Sequence, residues 1–327
     1  MKKWILPIFL LASVSVWSQQ SATITAPVTV TVSDTSSIAN IHNTFLPNYK
    51  SRKILIAGIH TAAYTGTLLL LSQAWYKDYP KTAFHTFDDS KEWLQVDKVG
   101  HAWTAYNIAK YSTETWEWAG FPHKKAVMLG GLSSLGYQTI LETLDAHSAE
   151  WGWSWSDMAA NAAGVSLYCL QEWGWQEQRI QFKFSSHPST YSGDVKNRTE
   201  DLFGKSFQER LLKDYNSQTY WMSFNLKSFA KQSQLPAWLN IAIGYGAQGL
   251  YGGFENTAYG KDGSVTFDRR DIPRLRQWYF SPDIDFTKIK TRKPLVRTML
   301  SLLNMLKMPA PALEFSNGKV KGHFLYF

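Results

Sequence analysis

The pattern of apolar and polar positions predicts helices in the first half of this chain and strands in the second. The longest apolar run covers residues 54–75, which are 22 positions without Asp, Glu, Lys or Arg. That length is sufficient for a membrane-spanning helix, but polar residues such as His60 and Gln73 interrupt the run. Two interpretations therefore stay open, a transmembrane helix and a buried central helix.

Three further helices are predicted between residues 96 and 175. Periodic apolar positions begin near Val96 and near Lys124, and Ser156 has the side chain expected of an N-cap for the third helix. The second helix carries five Gly and Ser residues between positions 130 and 136. Because small side chains let helices approach closely, this part of the chain is expected to form a bundle of short apolar helices.

Beyond residue 176, apolar and polar side chains alternate with the period of two that strands show. The alternation is clearest in residues 177–186, 220–226, 238–253 and 277–286, and Asn317 with Gly318 predicts a hairpin turn near the end. Residues 202–215 and 294–307 instead have the spacing of amphipathic helices. The predicted fold class is therefore α+β, with an N-terminal helical bundle followed by a β-rich antiparallel region.

The number of strands leaves the shape of the β-rich region open. Seven or eight strands are expected if the N-terminal segment contributes one, and about eight strands is the smallest number that closes a membrane barrel. Gly322, Leu325 and Phe327 have the spacing found at the ends of outer-membrane barrels, although Val320 departs from that pattern. A small outer-membrane barrel and an open sheet covered by the helices are the two alternatives.

The first residues have the features of a secretory signal peptide. Lys2 and Lys3 precede an apolar run, small residues follow near Ser18, and no Cys stands at this junction to accept a lipid. Cleavage after Ser18 defines a signal peptide 1–18, an extended N-terminal segment 19–52, a helical domain 53–175 and a β-rich domain 176–327 with two amphipathic helices. We expect an exported protein of the periplasm or outer membrane, or of the inner membrane if residues 54–75 span it.

Composition narrows the expected partners to membrane surfaces. The formal charge of +8 falls to +6 when a signal peptide with two lysines and no acidic residue is removed. Positive charge on an exported protein favours contact with a membrane lipid or lipopolysaccharide surface, whereas the lack of basic runs interleaved with aromatics argues against nucleic acid. The single cysteine, Cys169, cannot form an internal disulfide. The sequence identifies neither a cofactor nor a protein partner.

Charged and amide side chains stand among apolar neighbours at three places in the helical domain. Asp97 and Lys98 lie four and three positions before His101, so the three side chains can converge near one helical turn. Buried polar groups cost free energy unless they satisfy one another. The other two places hold Glu142, Asp145 and His147 at the end of the second helix, and Asp157 and Asn161 on the third. Carboxylates near a helix C-terminus need a partner, which Lys98 or a metal ion would supply.

These residues also carry a family resemblance. The order DKxGH, then an acidic residue at the end of a small-residue helix, then SxxDMxxNxxG, resembles the YfiM-like family of predicted periplasmic proteins and more loosely the VanZ-like membrane proteins. The resemblance covers Asp97 to Gly164. It implies that six side chains lie together, namely Asp97, Lys98, His101, Glu142, Asp157 and Asn161. Neither family has an established reaction. The chain departs from the lipoprotein description of the first family, because the signal junction has no Cys.

Three functions fit the pattern. In the first, the protein is a non-catalytic envelope protein whose polar cluster is a structural network. In the second, it is a metal-assisted hydrolase or transferase acting on a lipid or cell-wall component, with His101, Glu142 and Asp157 as catalytic groups and His101, Glu142 and His147 as metal ligands. In the third, Lys98 and the basic surface bind an anionic headgroup. No HExxH motif, nucleophile elbow, Walker loop or dinucleotide fingerprint occurs.

Overall fold

The computed structural model describes residues 49–72, 80–260 and 262–327. The predicted signal peptide, the extended segment up to residue 48 and the end of the apolar run after residue 72 lie outside these ranges. The first described helix, α1 (Tyr49–Leu71), begins within the segment for which the sequence predicts an extended backbone.

The three predicted helices of the bundle are confirmed. They are α2 (Val96–Trp118), α3 (His123–Ala146) and α4 (Trp155–Trp175). Their shared core contains Ala105 of α2, Val127 of α3 and Val165 of α4, all of them buried. The small residues of α3 act as expected, since Ser134 donates a hydrogen bond to the Ala105 carbonyl oxygen at 2.8 Å.

The helix α4 begins two residues earlier than the sequence predicts. Its N-cap is Ser154 rather than Ser156, because the Ser154 Oγ accepts a hydrogen bond from the Asp157 backbone N–H at 3.0 Å. Both candidates are serines and are equally suitable caps by residue type, so only the hydrogen bond distinguishes them.

The helix α1 contacts the bundle along one side. Ile56 and His60 are buried, and His60 Nε2 lies 2.9 Å from Thr115 Oγ1 of α2, yet only 17% of the most apolar stretch of α1 is buried. The described part of the apolar run, residues 54–72, is therefore not a buried central helix. Among the described residues, α1 is the one helix that is long and apolar enough to cross a membrane, by length and composition alone.

The fold class is confirmed as α+β, since an antiparallel sheet follows the bundle. Six strands pair in the order β1-β2-β3-β6-β7-β8, and β4 and β5 form a separate hairpin. The strands are β1 (Ile180–Ser186), β2 (Gln218–Asn225), β3 (Leu239–Gln248), β4 (Thr257–Tyr259), β5 (Val265–Asp268), β6 (Leu275–Ile284), β7 (Ala310–Ser316) and β8 (Lys319–Tyr326). The predicted hairpin turn at Asn317 and Gly318 joins β7 to β8.

The sheet is open, and no closed barrel is found in the part of the chain that the structure describes. The outer edge of β1 bonds to the segment before β7 rather than to β8. Phe184 donates its N–H to the Met305 carbonyl oxygen at 2.9 Å, and Lys307 donates to the Phe184 carbonyl oxygen at 2.8 Å. This short segment occupies the edge of β1, and of the two alternatives the small barrel is not the one observed.

Short helices connect the strands. They are α5 (Gly193–Phe203), α6 (Phe207–Lys213), α7 (Leu226–Phe229) and α8 (Pro294–Leu303). The amphipathic helix predicted for residues 202–215 is shorter in the structure, where α6 lies within that range and residues 202 and 203 belong to the end of α5. The break falls at Gly204, where φ is +79°, and Ser206 with Glu209 forms a capping box that starts α6.

The bundle contacts the sheet through aromatic side chains of α2. The Trp103 ring centroid lies 5.4 Å from that of Phe184 in β1 and 6.2 Å from that of Tyr220 in β2. At Gly100 an added Cβ would lie 2.7 Å from the Tyr220 hydroxyl oxygen. The space that Gly100 provides is therefore filled by the sheet, and the first turn of α2 lies against it.

Gly164 sets the separation of α2 and α4. A Cβ at this position would lie 2.0 Å from the Ala102 carbonyl oxygen, so a side chain forces the two helices apart. Gly164→Ala is expected to lower the free energy of unfolding by about 1–3 kcal/mol, measured by urea denaturation. Gly174→Ala on the same helix is the control, because no atom lies within 4 Å of its Cβ position. Equal stability of the two variants would contradict this packing.

Candidate functional site

Lys98 joins three segments of the helical domain. Its Nζ lies 2.5 Å from Asp89 Oδ2, 2.8 Å from Asp97 Oδ2 and 2.8 Å from Asp157 Oδ1, and its side chain is only 10% exposed. Asp89 precedes α2, Asp97 and Lys98 lie in its first turn, and Asp157 lies in the first turn of α4. We call these four residues the Lys98 network. The carboxylates raise the pKa of Lys98 despite the opposing effect of burial, so the ammonium stays charged.

Asp89 is the member of the Lys98 network that the sequence analysis missed. It lies between the apolar run and α2, where no periodicity marks it as buried, yet it is 8% exposed. Ser154 and Ser156 donate hydrogen bonds to its Oδ1 at 2.5 and 2.6 Å. Burial opposes ionisation of Asp89, but the hydrogen bonds from Lys98 and the two serines outweigh it and hold its pKa at about 2.

The other two carboxylates of the Lys98 network are less easily ionised. Burial raises the pKa of Asp97, and the nearby Lys98 ammonium opposes this only in part. Burial also raises the pKa of Asp157 to about 6, against the opposing effect of His101 and Lys98. His101 contributes from the next turn of α2, and its Nε2 lies 3.7 Å from Asp157 Oδ2. Thus the predicted convergence of Asp97, Lys98 and His101 takes place around Asp157.

Glu142 connects the end of α3 to the start of α4. Its Oε1 accepts a hydrogen bond from the Ser154 backbone N–H at 2.6 Å, and the residue is 1% exposed. The sequence analysis expected Lys98 or a metal ion to be the partner of the Glu142 carboxylate. In the structure the partner is the N-terminus of α4, where a negative charge is favourable. Burial raises the pKa of Glu142 to about 8, since one N–H cannot offset desolvation and the neighbouring Asp157. Its protonation therefore stabilises the fold below about pH 4.5, and this contribution is lost as the pH rises through 8.

Asn161 is buried one turn after Asp157. Its Oδ1 accepts a hydrogen bond from Gln138 Nε2 at 2.9 Å, which links α3 to α4, and its Nδ2 has no hydrogen-bond partner among the described residues. His147 lies apart from this region. It is exposed, its Nδ1 is 3.2 Å from the Thr82 carbonyl oxygen, and its ring contacts Phe84.

Within the described ranges, two sets of side chains have the spacing of metal ligands. One oxygen each from Asp89, Asp97 and Asp157 lies within 4.8 Å of the others, but the Lys98 ammonium contacts all three and takes the place of a cation. The second set is His101, Glu142 and Asp157, whose ligand atoms also lie within 4.8 Å of one another. This set contains two of the predicted metal ligands, and Asp157 stands where His147 was expected.

A cavity of about 240 Å³ opens beside these groups. Its lining is strongly acidic, with Arg198 as its basic member, and the acidic residues are Asp89, Glu92, Glu142, Asp145, Glu150 and Asp157. Burial raises the pKa of Glu92 to about 7, with repulsion from Asp97 and Asp89 adding to the effect. We call this the acidic cavity. Its charge favours cations over anionic headgroups.

A left-handed turn holds the acidic cavity against the sheet. Trp93, Leu94 and Gln95 all have positive φ, between 48° and 65°, which is costly for residues with side chains. The Trp93 N–H donates to the Gly253 carbonyl oxygen at 2.8 Å, and the Tyr245 hydroxyl donates to the Leu94 carbonyl oxygen. Contacts from the β-rich region therefore fix the strained turn that carries Glu92 into the cavity.

Comparison with known proteins supports the location of the protein rather than a reaction. No curated protein and no solved structure matches the chain. Residues 86–172 match the model of a family described as predicted periplasmic lipoprotein (DUF2279). This range contains the whole Lys98 network, Glu142 and Asn161. The chain is therefore similar to a family of predicted periplasmic lipoproteins over α2, α3, α4 and the segment before them. This similarity supports an exported, envelope-associated protein.

Proposed function

We propose that this is a non-catalytic envelope protein in which the Lys98 network is a structural connection between the segments of the helical domain. The observation that carries the proposal is the position of one buried ammonium within 2.8 Å of three carboxylates. A buried charge without partners would cost several kcal/mol, so these four groups require one another. The finer resemblance to YfiM-like and VanZ-like proteins belongs to the same proposal, since it rests on the same residues.

Binding of an anionic headgroup by Lys98 has less support. The Lys98 side chain is 10% exposed and already contacts three carboxylates, which would repel a phosphate. Residues beyond Lys98 would have to provide any site for an anionic lipid.

A metal-assisted hydrolase or transferase is the second candidate. One observation favours it, namely that His101, Glu142 and Asp157 place three ligand atoms within 4.8 Å of one another beside the acidic cavity. Zn²⁺ binds such a mixture of imidazole and carboxylate ligands and would activate water for attack on a lipid or cell-wall ester. Burial is the main cause of the raised pKa of Glu142, repulsion from Asp157 adds to it, and a bound cation would oppose both effects.

Thermal unfolding in the presence of metal separates the two candidates. The mature protein is heated with EDTA or with Zn²⁺, Mn²⁺ or Ca²⁺, alongside His101→Ala and the control His147→Ala. A structural network predicts that metals change the midpoint temperature by less than about 1 °C in all three proteins. Bound metal stabilises the folded state. A metal-dependent rise in the wild type and in His147→Ala that disappears in His101→Ala would overturn the structural proposal and support the metal site.

A further inference from the structure

The six-stranded sheet has its polar face buried and its apolar face exposed. On one face, which we call the inner face, Lys183 stands beside Trp221 and Ser223 beside Ala242, and all four are fully buried. The inner face also contains Asp283, which lies 2.8 Å from Lys183 Nζ. In a sheet of a water-soluble domain the buried face is the apolar one, so this sheet has the opposite arrangement.

The opposite face of the sheet, its outer face, is apolar across five neighbouring strands, β1, β2, β3, β6 and β7. One row of neighbours runs through Phe182, Met222, Ile243, Phe280 and Leu313. Aromatic residues of α2 pack on its β1 end, where Phe182 is 7% exposed and lies near Tyr106. Trp103 of α2 also contacts Tyr220 of β2, and Tyr245 of β3 bonds to Leu94 before α2. The open part of the outer face lies beyond these contacts.

The open part of the outer face lies on β3, β6 and β7. Its exposed residues are Ile243 (45% exposed), Trp278 (51%), Phe280 (44%), Leu313 (45%) and Phe315 (44%). Contiguous apolar surface of this kind marks an interaction site.

The helix α8 shows the same inversion. It buries Thr298 and Ser301, while Leu295, Met299 and Leu303 are between 46% and 56% exposed. Leu306 and Met308 continue the exposed apolar side chains toward β7. A helix whose apolar side is turned away from the protein is typical of an interfacial membrane helix.

Positive charge lies next to this apolar surface. Residues 288–297 contain five Lys and Arg and no acidic residue. One of them, Lys288, is paired with Glu177, and the others are exposed, namely Lys290, Arg292, Lys293 and Arg297. Near an anionic membrane each such residue contributes about 1 kcal/mol of attraction.

We propose that α8 and the open part of the outer face bind the surface of an anionic phospholipid bilayer. Met299 and Leu303 contact the hydrocarbon, and Arg292 and Lys293 contact the headgroups. A second copy of the chain fits less well, because a two-fold contact brings the same patch of both copies together, and two basic 288–297 segments would repel each other. The proposal does not depend on the function of the Lys98 network.

A fluorescent label at Met299 tests the proposal at the residue that carries it. Met299→Cys is labelled with NBD and mixed with vesicles of phosphatidylethanolamine and phosphatidylglycerol, or of phosphatidylcholine. Cys169 is 5% exposed, so the added cysteine is the reactive one, and parent protein treated in parallel measures any background. Since the label reports its own surroundings, attachment of the protein through α1 alone does not produce the signal.

The expected result is a blue shift and a rise in NBD emission with the anionic vesicles. A label at Tyr259→Cys on the β4-β5 hairpin, which lies outside the six-stranded sheet, is expected to stay unchanged. Arg292→Glu with Lys293→Glu is expected to weaken binding to anionic vesicles by about tenfold or more. Unchanged Met299→Cys emission with anionic vesicles would overturn the proposal. So would blue-shifted emission without lipid in a protein that light scattering shows to be a dimer, because the patch would then be an interface between copies.

Discussion

Replacing Lys98 by methionine is expected to lower the free energy of unfolding by about 3–5 kcal/mol. Methionine has a similar length but no charge, so Asp89, Asp97 and Asp157 lose the ammonium that contacts all three. Their side chains are at most 11% exposed, and water cannot replace the lost partner without rearrangement. Urea denaturation followed by tryptophan fluorescence and circular dichroism measures the loss.

The matched control for Lys98→Met is Lys125→Met, the same change at an exposed position of α3. It is expected to alter the unfolding free energy by less than about 0.5 kcal/mol. The pH dependence gives a second check. Without Lys98 the pKa values of the three carboxyls rise above their unfolded values, so Lys98→Met should recover stability below about pH 4 and lose it as the pH rises. A variant as stable as the control at pH 7 would contradict the role of Lys98.

Replacing Asp283 by asparagine is expected to have an effect of similar size, about 3–5 kcal/mol, in the β-rich region. Asp283 lies 2.8 Å from Lys183 Nζ and 3.7 Å from Lys307 Nζ, and all three side chains are completely buried. Burial lowers the pKa of Lys307 to about 8 and also lowers that of Lys183, even with the carboxylate present. Removing Asp283 leaves two buried ammonium groups with carbonyl oxygens as their nearest acceptors.

Asp271→Asn is the control for Asp283→Asn. Asp271 pairs with Arg269 on the surface, where its side chain is 65% exposed, and such a pair contributes less than about 1 kcal/mol. The two variants should also differ in pH dependence. The pKa of Lys307 is already lowered in the presence of Asp283, so the control also gains stability as the pH rises from about 8 toward 10. Without the carboxylate the pKa values of Lys183 and Lys307 fall further, so Asp283→Asn should gain more stability than Asp271→Asn over that range. A decrease over that range would contradict the assignment.

The helical domain was the more predictable part of the fold. The spacing of Asp97, Lys98 and His101 placed them on one side of α2, and the structure brings them to Asp157 as predicted. Asp89 could not be found in the same way, because a residue in an irregular segment has no period from which burial can be inferred. Asp89 reaches Lys98 only because of the path that the chain takes before α2.

The sequence predicted most of the strands of the sheet, but not their pairing or which face of the sheet is buried. Alternation in a strand shows that two faces differ, but it does not indicate which face is buried. Lys183 was therefore assigned to a strand without any sign that it is completely buried. The count of strands was close, but the separate pairing of β4 with β5 and the segment at the edge of β1 leave six strands in an open sheet.

The most direct test of the account is restoration of charge balance in the Lys98 network. Lys98→Met is combined with Asp89→Asn, Asp97→Asn and Asp157→Asn, and the free energy of unfolding is measured for both variants in urea. If the network is structural, removing the unpaired carboxylates recovers most of the stability that Lys98→Met loses, because replacing a complete buried ion cluster costs far less than breaking it. A combined variant no more stable than Lys98→Met alone would contradict the claim that charge pairing around Lys98 holds the helical domain together.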